Sequence, residues 1–525
     1  MIVAMRRDFA RLDATFDLLV IGGGIYGAWI ACDAALRGLR VALVEREDWA
    51  AGTSSASSKL IHGGLRYLEH GEVGLVRKAL RERGRLMRLA PHRVLEQRFL
   101  LPLHRGARPG RLPLAVGLRA YDLLAGARPD VAAHRALAAG ELLARAPFLH
   151  RDDLLGGFAY SDAAEDDGRF TLEVVAGALA AGACAVNHAE ATALLRAGGR
   201  VVGAQVRDRL GGATAEVRAT VVVDATGAWA ARTSALPDLP VRHTKGVHLA
   251  LPPLPRDDAF LLRAPRDGRV FFLIPWYGAT LVGTTDTDWR GDPASVAPDE
   301  ADVAYLIAAV AATCPGLGWR VEDVRAAWAG LRTLRGAAGS PSSVSREWEL
   351  LAPEPGLLIP LGGKFTSARV EAAHTVDRAL ALRGQEPGAS PTLHRPLAWA
   401  PRDWPGWREA KTAAGIACGL DRATAANAVA RFGSRVDTLH TMLRGDPTLT
   451  RRVVPEAPFC LGETVLAARA EMAFTLRDVL RRRVPVLTVA RPDVTTLTTV
   501  AALVGAELGW DSTRRAAEVR ALAST

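Results

Sequence analysis

Three glycines and one carboxylate near the N-terminus have the spacing of a nucleotide-binding turn. Gly22, Gly24 and Gly27 follow the apolar run 16–21, and Glu45 ends the next apolar run. In such a turn the first glycine allows the bend, the second lets the backbone approach a pyrophosphate, and the third lets a helix pack on a strand, while the acidic residue accepts hydrogen bonds from a ribose. The pattern predicts a dinucleotide cofactor but does not separate FAD from NAD.

A polar segment after the second predicted strand carries further candidate ligands. Residues 53–68 read TSSASSKLIHGGLRYL, which is too rich in Gly and Ser for an ordinary helix. Backbone and hydroxyl donors in such a loop can line an extended cofactor, and Arg66 and Tyr67 would lie beyond it. The residues that we expect at the cofactor are Thr53, Ser54, Ser57, Ser58 and Lys59.

The stretch SSASSKLIHGGLRYLEHGE closely resembles the signature of the FAD-dependent glycerol-3-phosphate dehydrogenases, and matches to that family extend from residue 16 to the C-terminus. The resemblance implies FAD as the cofactor. Tyr26, inside the glycine turn, is bulkier than is common in the family. The other matched segments are 223–229 (second flavin-site turn, with Thr226 and Gly227), 245–248 (active-site strand), 274–276 and 283–286 (substrate-domain sheet), 330–332 (substrate arginine), 362–366 (final flavin loop, with Gly363 and Lys364) and 471–483 (C-terminal domain).

The resemblance also implies a reaction, in which sn-glycerol 3-phosphate is oxidised to dihydroxyacetone phosphate, FAD is reduced, and a quinone takes up the electrons. A phosphate dianion needs several converging cations, and Arg66, Arg332 and Lys364 each follow a Gly-rich turn or lie in a matched motif. We therefore expect these three side chains at the substrate, together with Tyr67.

His248 is the candidate general base, because an imidazole has an ordinary pKa of about 6.5 and this residue lies in the matched active-site strand. Other groups of the site could move the proton through water, so the identity of the base stays open. Only five lysines occur, and Lys59, Lys245 and Lys364 all lie in matched motifs. A lysine kept in so Arg-rich a chain indicates a need for a compact ammonium, and such a cation can stabilise a flavin as it becomes anionic.

The elements expected to position these residues form three units. Residues 16–45 form a β-α-β unit, and residues 241–293 alternate apolar and polar side chains as antiparallel strands do. The predicted fold class is α/β, with a Rossmann-like FAD-binding domain, an antiparallel-sheet substrate domain and an all-helical C-terminal domain. In the last domain, apolar spacing predicts one helix over 463–483. The predicted boundaries are 14–78, 152–240 and 351–390 for the FAD-binding domain, 79–151 and 241–350 for the substrate domain, 391–407 for a linker, and 408–525 for the C-terminal domain.

Composition excludes several other classes of protein. The 525 residues carry a net charge of +10, but nearly all the basic residues are arginine, a compositional bias that does not indicate a nucleic-acid partner. Five scattered cysteines without a CxxC pair indicate neither a disulfide framework nor a zinc site, and no metal is expected. The first fifteen residues lack the apolar segment of a signal peptide, so we expect a cytoplasmic location.

Residues 105–128 mix Arg with Leu, Val and Tyr at helical spacing. This pattern fits either an ordinary amphipathic surface helix or a helix in a membrane interface, and the resemblance implies membrane association. In the second case the protein would lie on the cytoplasmic face of the membrane as a peripheral protein. A homo-oligomer is compatible with the sequence.

Two alternative functions stay open. A glycerol-3-phosphate oxidase would pass the electrons to O2 and form peroxide, and the sequence does not separate it from a quinone-linked dehydrogenase. A non-catalytic flavin-binding scaffold at the membrane surface would have no need of Arg66, His248, Arg332 and Lys364 together, which argues against it.

Overall fold

The computed structural model describes residues 5–126, 130–335 and 347–523. The strands in these ranges are β1 (Thr15–Ile21), β2 (Val41–Val44), β3 (Leu60–Ile61), β4 (Leu95–His104), β5 (Arg135–Leu137), β6 (Leu154–Ala164), β7 (Cys184–Val186), β8 (Ala189–Ala197), β9 (Arg200–Asp208), β10 (Thr214–Asp224), β11 (Val241–Leu251), β12 (Ala259–Arg263), β13 (Val270–Trp276), β14 (Ala279–Gly283), β15 (Thr287–Trp289), β16 (Ala326–Arg335), β17 (Glu349–Leu351) and β18 (Leu357–Leu361).

Helices cover the sheets and form the C-terminal part of the chain. They are α1 (Ile25–Leu36), α2 (Val73–Leu89), α3 (Arg111–Ala125), α4 (Ala139–Arg145), α5 (Asp167–Ala180), α6 (Ala230–Thr233), α7 (Glu300–Thr313), α8 (Ala368–Leu382), α9 (Trp404–Ala417), α10 (Arg422–Phe432), α11 (Val436–Gly445), α12 (Leu461–Ala470), α13 (Leu476–Asp478), α14 (Val486–Val489), α15 (Val494–Leu508) and α16 (Ser512–Ala523).

The first sheet has the strand order β17-β18-β10-β1-β2-β7, and β9 pairs with β10. Its central strands β18, β10, β1, β2 and β7 run parallel. β1 and β2 are short apolar runs because helices bury the faces of a parallel sheet. β1, α1 and β2 form the predicted β-α-β unit, with the glycine turn between β1 and α1.

The second sheet has the order β15-β11-β14-β13-β12-β4-β6-β3, with β16 paired to β11 and β5 to β6. Its pairs are antiparallel apart from β12 with β4, so the predicted antiparallel sheet is confirmed. β3 and β6 lie in ranges that we predicted for the FAD-binding domain, yet both pair in this sheet. The physical reason is the long ladder between β6 and β4, which runs from Ala164 opposite Leu95 to Leu154 opposite His104.

The C-terminal part, α9 to α16, is helical, as predicted. The predicted single helix over 463–483 is wrong, because α12 ends at Ala470 and a π-helical turn occupies Val479–Arg483. The buried Glu471 interrupts the helix: its carboxylate binds Arg169 and Arg435, and its carbonyl accepts from Arg483. The predicted linker also ends earlier than expected, because α9 begins at Trp404.

Surface helix α3 buries Leu114, Leu118 and Tyr121. Its opposite face exposes Leu112 by 79%, Val116 by 69% and Leu123 by 68%. Among the described residues, no helix has both the length and the apolar character needed to cross a bilayer.

Candidate active site

One cavity of ≈ 2490 Å³ is lined by residues of the glycine turn, the Ser-rich loop, β11, β16 and the loop after β18. Side chains of the C-terminal helices line it as well. A pocket for a single small ligand usually measures about 300–1,000 Å³. The cavity therefore has room for an extended cofactor and a small substrate together.

The glycine turn, Gly22 to Gly27, forms part of the cavity wall, and we call it the glycine cradle. Gly22 has φ +106°, and a Cβ on Gly27 would lie 1.8 Å from the Gly22 carbonyl oxygen. A Cβ on Gly24, which lines the cavity, would lie 3.0 Å from Ser54 Oγ. Gly22 and Gly27 therefore have no space for a Cβ, and a Cβ on Gly24 would crowd Ser54.

Glu45 lies beside this cradle and lines the same cavity. Its Oε2 accepts a hydrogen bond from the Gly23 amide at 2.6 Å, and its Oε1 accepts one from the Glu47 amide at 2.8 Å. Burial raises the pKa of Glu45 above its ordinary value, although the two amides act in the opposite direction. Each carboxylate oxygen keeps a second lone pair, which a ribose hydroxyl could use.

The Ser-rich loop is pinned by its own hydroxyl groups. Thr53 Oγ1 donates to the Leu331 carbonyl at 2.7 Å, and Ser54 Oγ accepts from the Ile25 amide at 2.9 Å. Ser57 Oγ donates to Asp167 at 2.7 Å, and Ser58 Oγ lies 2.9 Å from His248 Nε2. All four residues line the cavity.

Lys59 is placed differently from our prediction. Its buried ammonium does not line the cavity but donates to Asp167 Oδ1 at 2.6 Å and to the Ser55 carbonyl at 2.7 Å. The rings of Trp276 and Trp328 lie 5.3 and 5.7 Å from the nitrogen. The buried Asp167 needs a cation. We therefore assign Lys59 the role of holding the loop, and not that of contacting the cofactor directly.

Three predicted substrate residues, Arg332, Lys364 and Tyr67, line the same cavity. Arg332 lies 3.1 Å from Asp286 and donates to Thr284 Oγ1 at 3.0 Å. Lys364 Nζ lies 3.5 Å from the centre of the Tyr67 ring. Arg66 belongs to the 3₁₀ turn Leu65–His70, and its side chain lies outside the described residues.

The register of β11 and β16 explains how Arg332 reaches the cavity. On β11 and β16, Gly246 faces Gly330 and His248 faces Trp328. A Cβ on Gly246 would lie 2.6 Å from Arg332 Nη2, so this glycine makes room for the guanidinium.

His248 is only 3% exposed, and its ring stacks on Trp328 with 5.4 Å between centroids. Burial, followed by the positive charges of Arg332 and Lys59, lowers the pKa of His248 to about 3. The ordinary imidazole pKa of about 6.5, expected from the sequence, therefore does not apply to His248. The imidazole is neutral at physiological pH and can accept a proton, but only as a weak base.

Two further turns complete the lining. Thr226 donates its amide and hydroxyl to Asp224 Oδ1 at 3.0 and 2.6 Å, and the next residue, Gly227, has φ +61°. Gly363 has φ +77°, and a Cβ there would lie 1.8 Å from Tyr26 Oη. The bulky Tyr26 is thus matched to a glycine of the final loop.

Several cavity residues were missed in the sequence. His62, Thr284 and Asp286 line the cavity and belong to the matched motifs, but no role was predicted for them. Trp328 carried a usable signal, because alternation along a strand places it on the same face as Gly330 and Arg332.

The family comparisons agree with this architecture. A model described as FAD dependent oxidoreductase matches residues 17–359, and one described as C-terminal domain of alpha-glycerophosphate oxidase matches 379–515. Glycerol-3-phosphate dehydrogenase 2 of Mycobacterium tuberculosis (strain ATCC 25618 / H37Rv) is 39% identical over 506 residues, which are 94% of this chain and 85% of that protein. The aerobic glycerol-3-phosphate dehydrogenase of Bacillus subtilis (strain 168) is 36% identical over 485 residues, 89% and 87% of the two chains.

Solved structures give the same result. The glycerol-3-phosphate dehydrogenase of Bacillus halodurans, complexed with FAD, has a TM-score of 0.80 at 28% identity and covers 98% of this chain and 95% of that chain. The L-α-glycerophosphate oxidase of Mycoplasma pneumoniae, at a TM-score of 0.56 and 18% identity, covers 72% of this chain and 97% of that chain and shows a shared fold alone. The comparisons confirm the predicted fold class and FAD as the cofactor.

Proposed function

Since the chain belongs to the FAD-dependent glycerol-3-phosphate dehydrogenase family, we propose that it oxidises sn-glycerol 3-phosphate to dihydroxyacetone phosphate and passes the electrons to a quinone. The observation that carries the proposal is that His248, Arg332, Lys364 and Tyr67 line the same cavity as the glycine cradle. The cradle fits a dinucleotide because Gly22 and Gly24, which have no side chain, line the cavity at the N-terminus of α1. FAD, when bound, supplies the acceptor for the substrate's hydride.

Arg332 and Lys364 would bind the substrate phosphate, with Arg66 as the third cation. Arg332 offers a planar fork that can hold two phosphate oxygens, while Lys364 offers a compact ammonium against the Tyr67 ring. Asp286 and Thr284 fix the Arg332 guanidinium from one side. The phosphate would thus anchor one end of the substrate near His248.

His248 would accept the hydroxyl proton of the substrate. Its neutral form is already the one that a base needs, and Ser58 Oγ at 2.9 Å from Nε2 fixes the plane of the ring. The charge of Arg332 contributes to the low pKa of His248. A phosphate dianion bound at Arg332 would offset that charge and would raise the basicity of the imidazole when substrate is present.

The proposed quinone acceptor is supported by α3. Leu112, Val116 and Leu123 recur at helical spacing on one exposed face, and Arg111 and Arg119 are exposed on the same helix. Apolar residues with flanking arginines are typical of a helix that lies in a membrane interface. We propose that α3 binds the cytoplasmic face of the membrane, where a lipid quinone is dissolved.

Anaerobic titration of the FAD-loaded protein with glycerol 3-phosphate tests the reaction. Bleaching of the flavin absorbance is expected, and its absence would favour the scaffold. The reduced protein is then mixed with either a short-chain quinone or O2. Faster reoxidation by the quinone supports the proposal, whereas rapid reoxidation by O2 with peroxide formation would assign an oxidase.

Vesicle binding tests the proposed membrane contact. The double change of Leu112 and Val116 to Ser should weaken binding to vesicles of anionic phospholipid, because it removes apolar area from the exposed face of α3. Val494→Ser is the control, since Val494 is 58% exposed on a different helix, α15. Equal binding of both variants would argue against α3 as the contact.

A further inference from the structure

A buried cluster of charged side chains joins the C-terminal domain to the loop that follows β2. Asp48, which is fully buried, accepts from Arg482 Nε at 2.6 Å and from Arg483 Nη1 and Nη2 at 2.7 Å each. Asn187 donates to the same carboxylate at 3.1 Å, and Arg482 Nη2 also donates to Asp478 at 2.9 Å. The carboxylate of Asp48 thus faces two guanidinium groups across the interface, while Asp478 pairs with Arg482 within the C-terminal domain.

His188 extends this cluster to the end of β7. Its Nε2 lies 2.9 Å from Asp478 Oδ2, and its backbone amide donates to the Glu47 carbonyl at 2.7 Å. Ligand atoms of Asp48, His188 and Asp478 lie within 4.8 Å of one another, as in a metal site. Both carboxylates are already engaged by guanidinium groups, however, so the cluster serves to join the domains.

The contacts continue from Asp48 to the glycine turn. The next residue, Trp49, is fully buried, and a Cβ on Gly23 would lie 2.5 Å from its ring. The Ala50 amide donates to the Gly23 carbonyl at 3.0 Å, and the Gly23 amide donates to Glu45 Oε2 at 2.6 Å. The segment 45–49 therefore contacts the turn through Glu45 and Trp49, and the C-terminal domain holds it at Asp48, between these two contacts.

We propose that Arg482 and Arg483 are positioning residues for the FAD site, and that the C-terminal domain sets the affinity for FAD by holding residues 45–49 against the glycine turn. Arg483 does not line the cavity and can have this effect without touching the cofactor, whereas Arg482 is part of the lining. Loss of one guanidinium contact would leave the buried Asp48 poorly compensated and free the segment that carries Glu45. The inference requires FAD binding but is independent of whether a quinone or O2 reoxidises the flavin.

The test measures the dissociation constant for FAD, using full-length protein stripped of flavin and titrated with FAD. Arg483→Lys keeps the charge but loses the two-pronged contact with Asp48, and we expect FAD affinity to fall by about tenfold, the effect of one charge-assisted hydrogen bond. At saturating FAD, the rate of anaerobic flavin reduction by glycerol 3-phosphate should stay unchanged, because His248, Arg332 and Lys364 are untouched.

Arg169→Lys is the matched control. Arg169 is also fully buried and also makes a two-pronged contact across this interface, with Glu471, but it does not contact residues 45–49. Asp48→Asn, which keeps the size of the side chain and alters no residue of the cavity lining, is the second variant if Arg483→Lys does not fold. Wild-type FAD affinity in a folded variant would overturn the proposal, and so would an equal loss of affinity in Arg169→Lys.

Discussion

We call the cavity lining around the glycine turn its nucleotide end and the lining around His248, Arg332 and Lys364 its substrate end, and charge has a different role in each. At the nucleotide end, the acidic groups are satisfied by the protein itself: Glu45 accepts from two backbone amides, and Asp48 is enclosed by Arg482 and Arg483. At the substrate end, Arg332 and Lys59 contribute to a pKa of about 3 for His248. At the first end the protein's own donors hold the carboxylates, whereas at the second end two cations lower the pKa of His248 although each is paired with a carboxylate.

Because of this difference, the two ends should be sensitive to different kinds of substitution. The nucleotide end depends on shape, because Cβ atoms on Gly22 and Gly27 would collide with backbone atoms and one on Gly24 would crowd Ser54. The substrate end depends on the type and position of its charged and titratable groups. A change in side-chain volume should therefore act most strongly at the first end, and a change in chemistry at the second.

The largest effect is expected at the nucleotide end. Gly24→Val should abolish FAD binding, because Gly24 lines the cavity and a side chain there would occupy the place of the pyrophosphate. Purified protein should be colourless, with a far-UV circular dichroism spectrum like that of the wild type. Gly74→Val is the control, since a Cβ on Gly74 in α2 meets nothing within 4 Å. A yellow Gly24→Val protein with normal FAD content would contradict the dependence on shape.

His248→Ala should have the next largest effect, at the substrate end. If His248 accepts the hydroxyl proton, the rate of flavin reduction should fall by about 10²–10⁴, the usual range for loss of a general base. Affinity for glycerol 3-phosphate should change little, because the cations that bind phosphate are retained. Stopped-flow reduction at several substrate concentrations separates the two quantities. A higher KM with an unchanged reduction rate would assign His248 to binding.

The pH profile of the wild type sharpens the same prediction. Because the pKa of free His248 is lowered to about 3, its imidazole stays neutral as pH falls from about 8 to 5. The profile of kcat/KM, which reports the free enzyme and free substrate, should therefore show no inflection from His248 in this range. Comparison of wild type with His248→Ala isolates its contribution from the ionisation of the substrate phosphate.

The nucleotide end could be predicted from sequence because its signal is local. Gly22, Gly24, Gly27 and Glu45 belong to one β-α-β unit, so their spacing alone specifies the turn and the place of the carboxylate. The antiparallel sheet was also predictable, because alternation of apolar and polar residues is a property of each strand.

What could not be predicted depends on contacts between distant residues. The role of Lys59 is decided by Asp167, and the low pKa of His248 by burial and by Arg332. The break in the helix after Ala470 depends on Arg169, which lies about three hundred residues away and binds Glu471. No local pattern around Lys59, His248 or Ala470 contains these partners.

The smallest of the three mutational effects concerns the shape of one cation, Lys364, at the substrate end. Lys364→Arg keeps the charge but replaces a compact ammonium, 3.5 Å from the centre of the Tyr67 ring, with a larger planar fork. We expect the rate of flavin reduction to fall by about tenfold or more, because the displaced charge no longer stabilises the transition state equally well. Stopped-flow flavin reduction measures the change.

Lys411→Arg is a matched control, because Lys411 also lies over an aromatic ring, 4.5 Å from the centre of Trp407, and is paired with Asp437. Lys411 belongs to α9, far along the chain from every cavity motif, and the cavity lining does not include it. Its replacement should leave flavin reduction at the wild-type rate. If both variants reduce flavin as fast as the wild type, the substrate end tolerates any cation at position 364, and its sensitivity to chemistry is limited to His248 and Arg332.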